Sequence, residues 1–274
     1  MEGDTGTLMW IGIPAHNIVM LVYCIVMAVA LLFFIRFKFR RIARSYADTL
    51  ADLYASPSEL PVVLAADFLE ADLAYYDNAR AALEKVGFSF MADVGMPAFT
   101  RSAADPHTFL RLMLSGDGVA TAQIFKTSYF LKEKISKRVG GGTYFKDSIQ
   151  FIVESTDGLF FEYISSSGKT ALDTPPEVTH QLSRPLLDAA DAYADFRRRY
   201  DVFLSETADF IPLPLTNTDA VLASCHRRNT LSVSYRRATG YVSKDEIRRM
   251  GGWIFTEILA KMAMADLRKK GLVE

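Results

Sequence analysis

The sequence predicts an α+β protein carried on a single amino-terminal transmembrane helix, its soluble part a 5-6-stranded antiparallel sheet flanked by helices. Three observations lead there. Ile18 to Ile35 is a run of 18 residues without a strongly polar side chain, and no charge occurs between Asp4 and Arg36. Two β-rich stretches are each folded about an Asp-Gly pair, Asp117-Gly118 and Asp157-Gly158. On both sides of them, apolar residues recur at helical spacing.

The apolar run comes first in the chain. At 1.5 Å rise per residue it makes about 27 Å of helix, close to the ~30 Å hydrocarbon core of a bilayer. A helix satisfies its own backbone there, so the run is stable as a span. A cleaved signal peptide would carry basic residues before the run, whereas Glu2 and Asp4 precede it and no Lys or Arg does. After it come Arg36, Lys38, Arg40, Arg41 and Arg44, five cations in nine residues. Such flanks stay on the cytoplasmic side. The expected organisation is therefore a short extracytoplasmic tail over 1–16, a transmembrane helix over 17–36, a basic juxtamembrane helix over 37–54, and a cytoplasmic α+β domain over 55–274, at the cell (inner) membrane. The same cations favour anionic lipid headgroups. Two cysteines, Cys24 and Cys225, lie one in the span and one in the soluble part, where they cannot pair; a domain without a disulfide suits a reducing compartment.

Of 31 basic and 32 acidic residues, five cations belong to the flank and two acids to the tail, leaving the soluble part about −4 in net charge. That argues against a nucleic-acid binder. Its first segment continues the membrane helix through Ile42, Tyr46, Leu50 and Leu53, and Ser56-Pro57 ends it. A second helix is expected from about Ser58 to Val86, with Leu64, Phe68, Leu73, Tyr76, Leu83 and Val86 on its apolar side and Gly87 as its stop. The period then changes to alternation. Phe88–Val94 reads as a strand, succeeded by hairpins Leu110–Lys126 and Ser148–Ser165, with Glu177–Leu182 as a last strand. Ser183 and Pro185 open a helix carrying Ala189, Tyr193, Phe196, Tyr200 and Phe203, and a short helix is expected near Asp219–His226. The final helix starts at a capping box, Ser243 with Glu246 stapled by Val242 and Ile247, presents Met250, Ile254, Ile258 and Met262 inward, and ends at Lys269-Lys270-Gly271.

No GxSxG elbow, phosphate loop, GxGxxG or HExxH motif occurs, and no catalytic, cofactor-binding or metal residue is assigned. His107, His180 and His226 are read as structural, since nothing is spaced to ligate metal with them. Cys225-His226 fails as nucleophile and base, because adjacent helix residues point about 100° apart. Gly140-Gly141-Gly142 precedes a strand rather than a helix, so it reads as a connection, not a phosphate cradle. The connection Thr127–Gly142 mixes Lys132, Lys134, Lys137 and Arg138 with Tyr129, Phe130 and Leu131, a composition suited to anionic lipid or an acidic partner. Arg227-Arg228, Arg236-Arg237 and Arg248-Arg249 read as solvated faces.

Together these readings imply a non-enzymatic, single-pass membrane protein whose cytoplasmic domain serves interaction or assembly with other membrane or envelope proteins. Two alternatives stand beside it: a domain binding lipid or an apolar ligand at the inner face of the membrane, and an enzyme whose site, with Asp93 or Asp105 near His107, matches no familiar motif.

Overall fold

The computed structural model describes residues 15–54, 59–69, 71–95, 109–129, 144–166, 173–183, 186–240 and 254–271. Among these, five α-helices and one six-stranded sheet make an α+β architecture: α1 (Ala15–Leu53), α2 (Leu73–Lys85), β1 (Phe88–Val94), β2 (Leu110–Ser115), β3 (Thr121–Tyr129), β4 (Tyr144–Glu154), β5 (Phe160–Ser166), β6 (Val178–Ser183), α3 (Ala189–Glu206), α4 (Thr218–Ala238) and α5 (Ile254–Lys269).

The strands lie in chain order, β1 to β6, and neighbours are antiparallel up to β5. The last pair is parallel, with Glu162 opposite His180, so the sheet is mixed and not purely antiparallel as expected. Chain length explains the difference. Residues 167–177 separate β5 from β6, and 11 extended residues reach ~36 Å, enough to bring the chain back past a strand of ~23 Å and start β6 from the same end. A tight turn has no such reach.

Each face of the sheet is covered. On one, α2 buries Tyr76, Ala79 and Leu83, and α3 buries Ala189, Ala192, Phe196 and Tyr200. Both sets keep the 3.6-residue period that places them on one stripe. Asp72 caps α2 by accepting from the Tyr75 amide, and Asp188 caps α3 by accepting from the Ala190 and Asp191 amides at 2.9 Å. Beneath them the rings interlock: Phe151 stacks on Phe196 at 4.9 Å, Phe161 meets Phe203 at 4.7 Å, and Phe203 meets Phe210 at 5.0 Å. The opposite face carries Ala92, Val94, Leu110, Leu112 and Leu114 against Leu215, Val221 and Cys225 of the α4 layer.

The helix expected over 58–86 forms only in its second part. Pro61–Val63 instead lies beside the end of β1, with the Val63 amide donating to the Asp93 carbonyl and the Gly95 amide to the Pro61 carbonyl, both at 2.9 Å. Proline suits this edge position, and the contact occupies the outer rim of β1. Gly87 ends α2 with φ +95°, as expected. The third helix begins at Ala189 rather than near Ser183, which is the last residue of β6. The short helix near Asp219–His226 is instead 21 residues long, capped by Asn217, whose side chain accepts from the Ala220 amide. The capping box Ser243–Glu246 with Val242 and Ile247, and Met250, lie outside the described residues. Among the described side chains of α5, Ile258 is exposed and Leu267 is buried.

Candidate functional site

Among the described residues, chemistry concentrates along the apolar part of α1 and its basic end, in the layer between the sheet and α4, around Arg111 on the opposite face, and in an open depression beside β6.

α1 runs unbroken for 39 residues, so the juxtamembrane helix continues the apolar one. Asn17–Lys38 includes an 18-residue stretch of mean hydropathy 3.1, none of which is buried in the structure, and the segment is long and apolar enough to cross a membrane. Arg36, Lys38, Arg41 and Arg44 are exposed at its end and just beyond, and Arg40 belongs to the same helix. The Lys38 ammonium sits 5.4 Å from the Phe34 ring. The carboxyl-terminal helix returns to this region: Arg44 Nε donates to Asp266 at 3.1 Å, and Arg237 at the end of α4 donates to the Tyr54 carbonyl at 3.1 Å.

The layer under α4 is a row of buried polar groups. Pairing of Gln123 with Gln150 and of Glu162 with His180 places them side by side across β3 to β6. Glu162 is buried and collects four donors: Gln150 at 2.5 Å, both guanidinium arms of Arg228 at 3.0 Å, and His180 Nδ1 at 3.1 Å. Burial alone would raise its pKa, but the Arg228 charge and the His180 hydrogen bond outweigh that and hold the carboxyl at about 2. One strand over, buried Glu154 takes both arms of Arg227, at 2.5 and 2.8 Å. Gln123 donates to the Cys225 sulfur at 3.3 Å, and burial pushes that thiol up to about 12. A carboxylate so well bonded is a feeble base, and a thiol so protonated is a poor nucleophile. The row fastens α4 to the sheet. His180 Nε2, also buried, meets no partner among the described residues.

On the other face Arg111 plays a similar part. A one-residue bulge in β1 between Phe90 and Ala92 reverses the facing of the rest of the strand, turning Ala92 and Val94 toward α4 and Asp93 toward α2. Asp93 thereby meets Arg111, its register partner, at 2.8 and 3.1 Å, while Asp77 of α2 takes the remaining arm at 2.7 Å. Burial works against the charge, but the two carboxylates more than offset it and raise the Arg111 pKa. Asp93 is thus a structural partner rather than a reactive acid.

Beside β6 lies an open depression of about 360 Å³ lined by Gln181, Arg198, Arg199 and Val202. Both arginines bond Asp195, which also accepts from the Tyr163 hydroxyl at 2.8 Å. Val202, half exposed, is part of its lining.

The residues expected to touch membrane or partner divide. Thr127–Tyr129 belong to β3, where Tyr129 is the register partner of Tyr144, so the basic connection starts later than the composition indicated. Phe130, Lys132, Lys134, Lys137 and Arg138 lie outside the described residues, as do His107, Asp105, Gly140–Gly142 and Arg248-Arg249. His226 is exposed beside buried Cys225, the arrangement expected of neighbours on a helix. Arg227 and Arg228 do more than face solvent: Arg227, about half exposed, clamps Glu154, and Arg228, largely covered, clamps Glu162. The signal for them was a carboxylate inside each β-rich run, SIQFIVE and LFFEYIS, on the strand face opposite Phe151 and Phe161. Among the described residues no three His, Cys, Asp or Glu side chains converge as a metal cage.

No protein-family model matches the chain, and comparison with curated proteins and with solved structures finds no similar protein.

Proposed function

We propose that this is a single-pass membrane protein, amino terminus outside and domain cytoplasmic, whose domain serves assembly with other membrane or envelope proteins. One observation carries the reading. The apolar helix does not end in a loose tether: it continues as α1, which meets α5 through Arg44–Asp266 and α4 through Tyr54–Arg237. The domain is held at a fixed stand-off from the apolar segment, a geometry suited to presenting a surface to neighbours in the same membrane.

The layer chemistry supports this over an enzyme, because Glu162, Glu154, Asp93 and Cys225 are engaged in holding helices to the sheet. The interlocked rings of Phe151, Phe161, Phe196, Phe203 and Phe210 occupy the space that an apolar ligand would need between sheet and helices. Orientation rests on the five cations after the span.

Photo-crosslinking in native membranes tests the proposal, with the reactive group placed in turn at Arg198 and Val202 in the depression and at exposed positions of α2. Discrete adducts with one or a few membrane proteins are expected from some positions. A chain that forms none from any of them is no assembly protein. A reporter fused after Glu274 that is active only outside the cell would reverse the orientation.

A further inference from the structure

Arg44 and Asp266 fix the level at which α5 meets α1, and exposure fixes its direction. If α5 ran parallel to α1, Ile254 would lie about 18 Å toward the apolar end, level with Leu32. Leu31, Leu32, Phe33 and Phe34 are all more than half exposed, so no described residue covers them. The helix is therefore antiparallel, beginning beside the far end of α1, near where Arg237 meets Tyr54, and running toward the membrane segment.

The direction brings the end of α5 to a particular place. Beyond Asp266 come Arg268, Lys269 and Lys270, all exposed, while Leu267 is buried. Two to four residues past Asp266 is a rise of about 3–6 Å, which places these cations level with Arg40 and Arg41. That level is about 3–5 Å beyond Lys38, the end of the apolar segment, within a headgroup layer ~5–7 Å deep on each side of a bilayer.

We propose that Arg268, Lys269 and Lys270 of α5 join Arg36, Lys38 and Arg41 of α1 in one basic collar that binds the phosphates of anionic lipid headgroups. The α1 half is an ordinary cytoplasmic flank. The α5 half is a second strip of charge delivered to the same depth from more than 200 positions away, so the collar forms only when the two helices are docked. Lipid binding and closure of the α1–α5 pair then support each other, since a ligand that bridges two elements stabilises the state in which they meet. This inference rests on the membrane-anchored reading above.

The test uses the full chain in nanodiscs of phosphatidylcholine mixed with phosphatidylglycerol, and counts by native mass spectrometry the lipids retained on release. The unaltered chain is expected to retain phosphatidylglycerol in excess over its share of the mixture. Arg268→Glu with Lys269→Glu and Lys270→Glu should cut that excess at least threefold, and the milder triple change to Gln should cut it in the same direction if the Glu form does not fold. Arg41→Glu should act alike. An excess unchanged by either α5 triple while Arg41→Glu removes it would overturn the collar and leave α1 as an ordinary flank. Equal retention of soluble glycerophosphate by the detergent-solubilised chain would overturn the lipid assignment. If alkaline carbonate releases the unaltered chain from membranes, the anchored reading itself falls; an integrated chain with no lipid excess sinks the collar alone.

Discussion

Arg44 and Asp266 stand 3.1 Å apart although 222 positions separate them in the chain. The pair joins α5 to α1. Arg44 is more than half exposed, so the contact itself contributes ~0–1 kcal/mol. Its value is as a marker of register between α1 and α5, whose docking rests more on the burial of Leu267.

Register of this kind is measurable by crosslinking. With Cys24 and Cys225 replaced by Ser, a chain carrying Arg44→Cys and Asp266→Cys is expected to be linked intramolecularly by a short bis-maleimide. Arg44→Cys paired with Ile258→Cys lies about 12 Å off level along the helix and should link poorly. Equal yields for the two pairs would mean that α5 slides or turns on α1.

Removing the carboxylate of Glu162 should be costly. In Glu162→Gln the part-buried Arg228 guanidinium loses its counter-charge, and breaking a fully buried pair costs about 3–5 kcal/mol, which sets the upper end of the expected loss. Adding Arg228→Met to that variant should recover part of the loss. Urea denaturation of the detergent-solubilised chain, monitored by circular dichroism, gives both numbers.

The same residue sets an acid limit. Its carboxyl is held at about 2, below the ordinary 4.5, by Arg228 and His180 acting against burial. The depressed value means that folding gains stability from the ionised form. That gain is complete above pH ~4.5, shrinks as pH falls toward 2, and is gone below it. A melting temperature that falls over this window, with a smaller fall in Glu162→Gln, is the expected record.

How much of this was legible in the chain depended on how local the cause was. The long apolar helix, the two Asp-Gly turns and the stripe Ala189, Phe196, Tyr200 each come from short-range periodicity or one turn's geometry, and the structure has them where the spacing put them. The direction of β6 did not show, because it depends on where an 11-residue connection leads rather than on any residue in the strand. The start of α2 was misjudged because Leu64 and Phe68 keep a helical spacing while Pro61–Val63 pairs with β1. Tertiary pairing prevailed there over local pattern. Arg227 and Arg228 looked like solvent-facing charge for the same reason: their partners, Glu154 and Glu162, lie 73 and 66 positions away.

The turn glycines should respond unequally to alanine. Gly118 has φ +70°, and an added Cβ would come within 2.6 Å of the Leu215 carbonyl oxygen. Gly158 has φ +84° and open space around its Cβ position. Gly158→Ala meets only the left-handed backbone, about 1 kcal/mol, whereas Gly118→Ala must also push the Leu215 segment away from the turn. Denaturation midpoints that fall more for Gly118→Ala would bear this out; equal falls would mean that the Leu215 segment yields freely.

The docking of α5 on α1 also makes a claim about where the folding unit begins. A truncated chain starting at Ala55 keeps α2, α3, α4 and the whole sheet, whose cores contain no α1 residue among the described ones. It lacks the helix that α5 meets, and with it the Tyr54 carbonyl that receives Arg237. Leu267, fully buried in the whole chain, would become accessible. A helix of 16 residues without a packing partner is marginal in water, since its stability comes mainly from tertiary contact. Hydrogen exchange should therefore find β1–β6 protected and Ile254–Lys269 exchanging near coil rates in the chain that starts at Ala55. A chain starting at Phe39 retains the second half of α1 and should restore protection of Ile254–Lys269 without the apolar segment. If that segment is equally protected in both, something other than α1 holds α5, and the closed helix pair on which the lipid collar depends is not the unit it is taken to be.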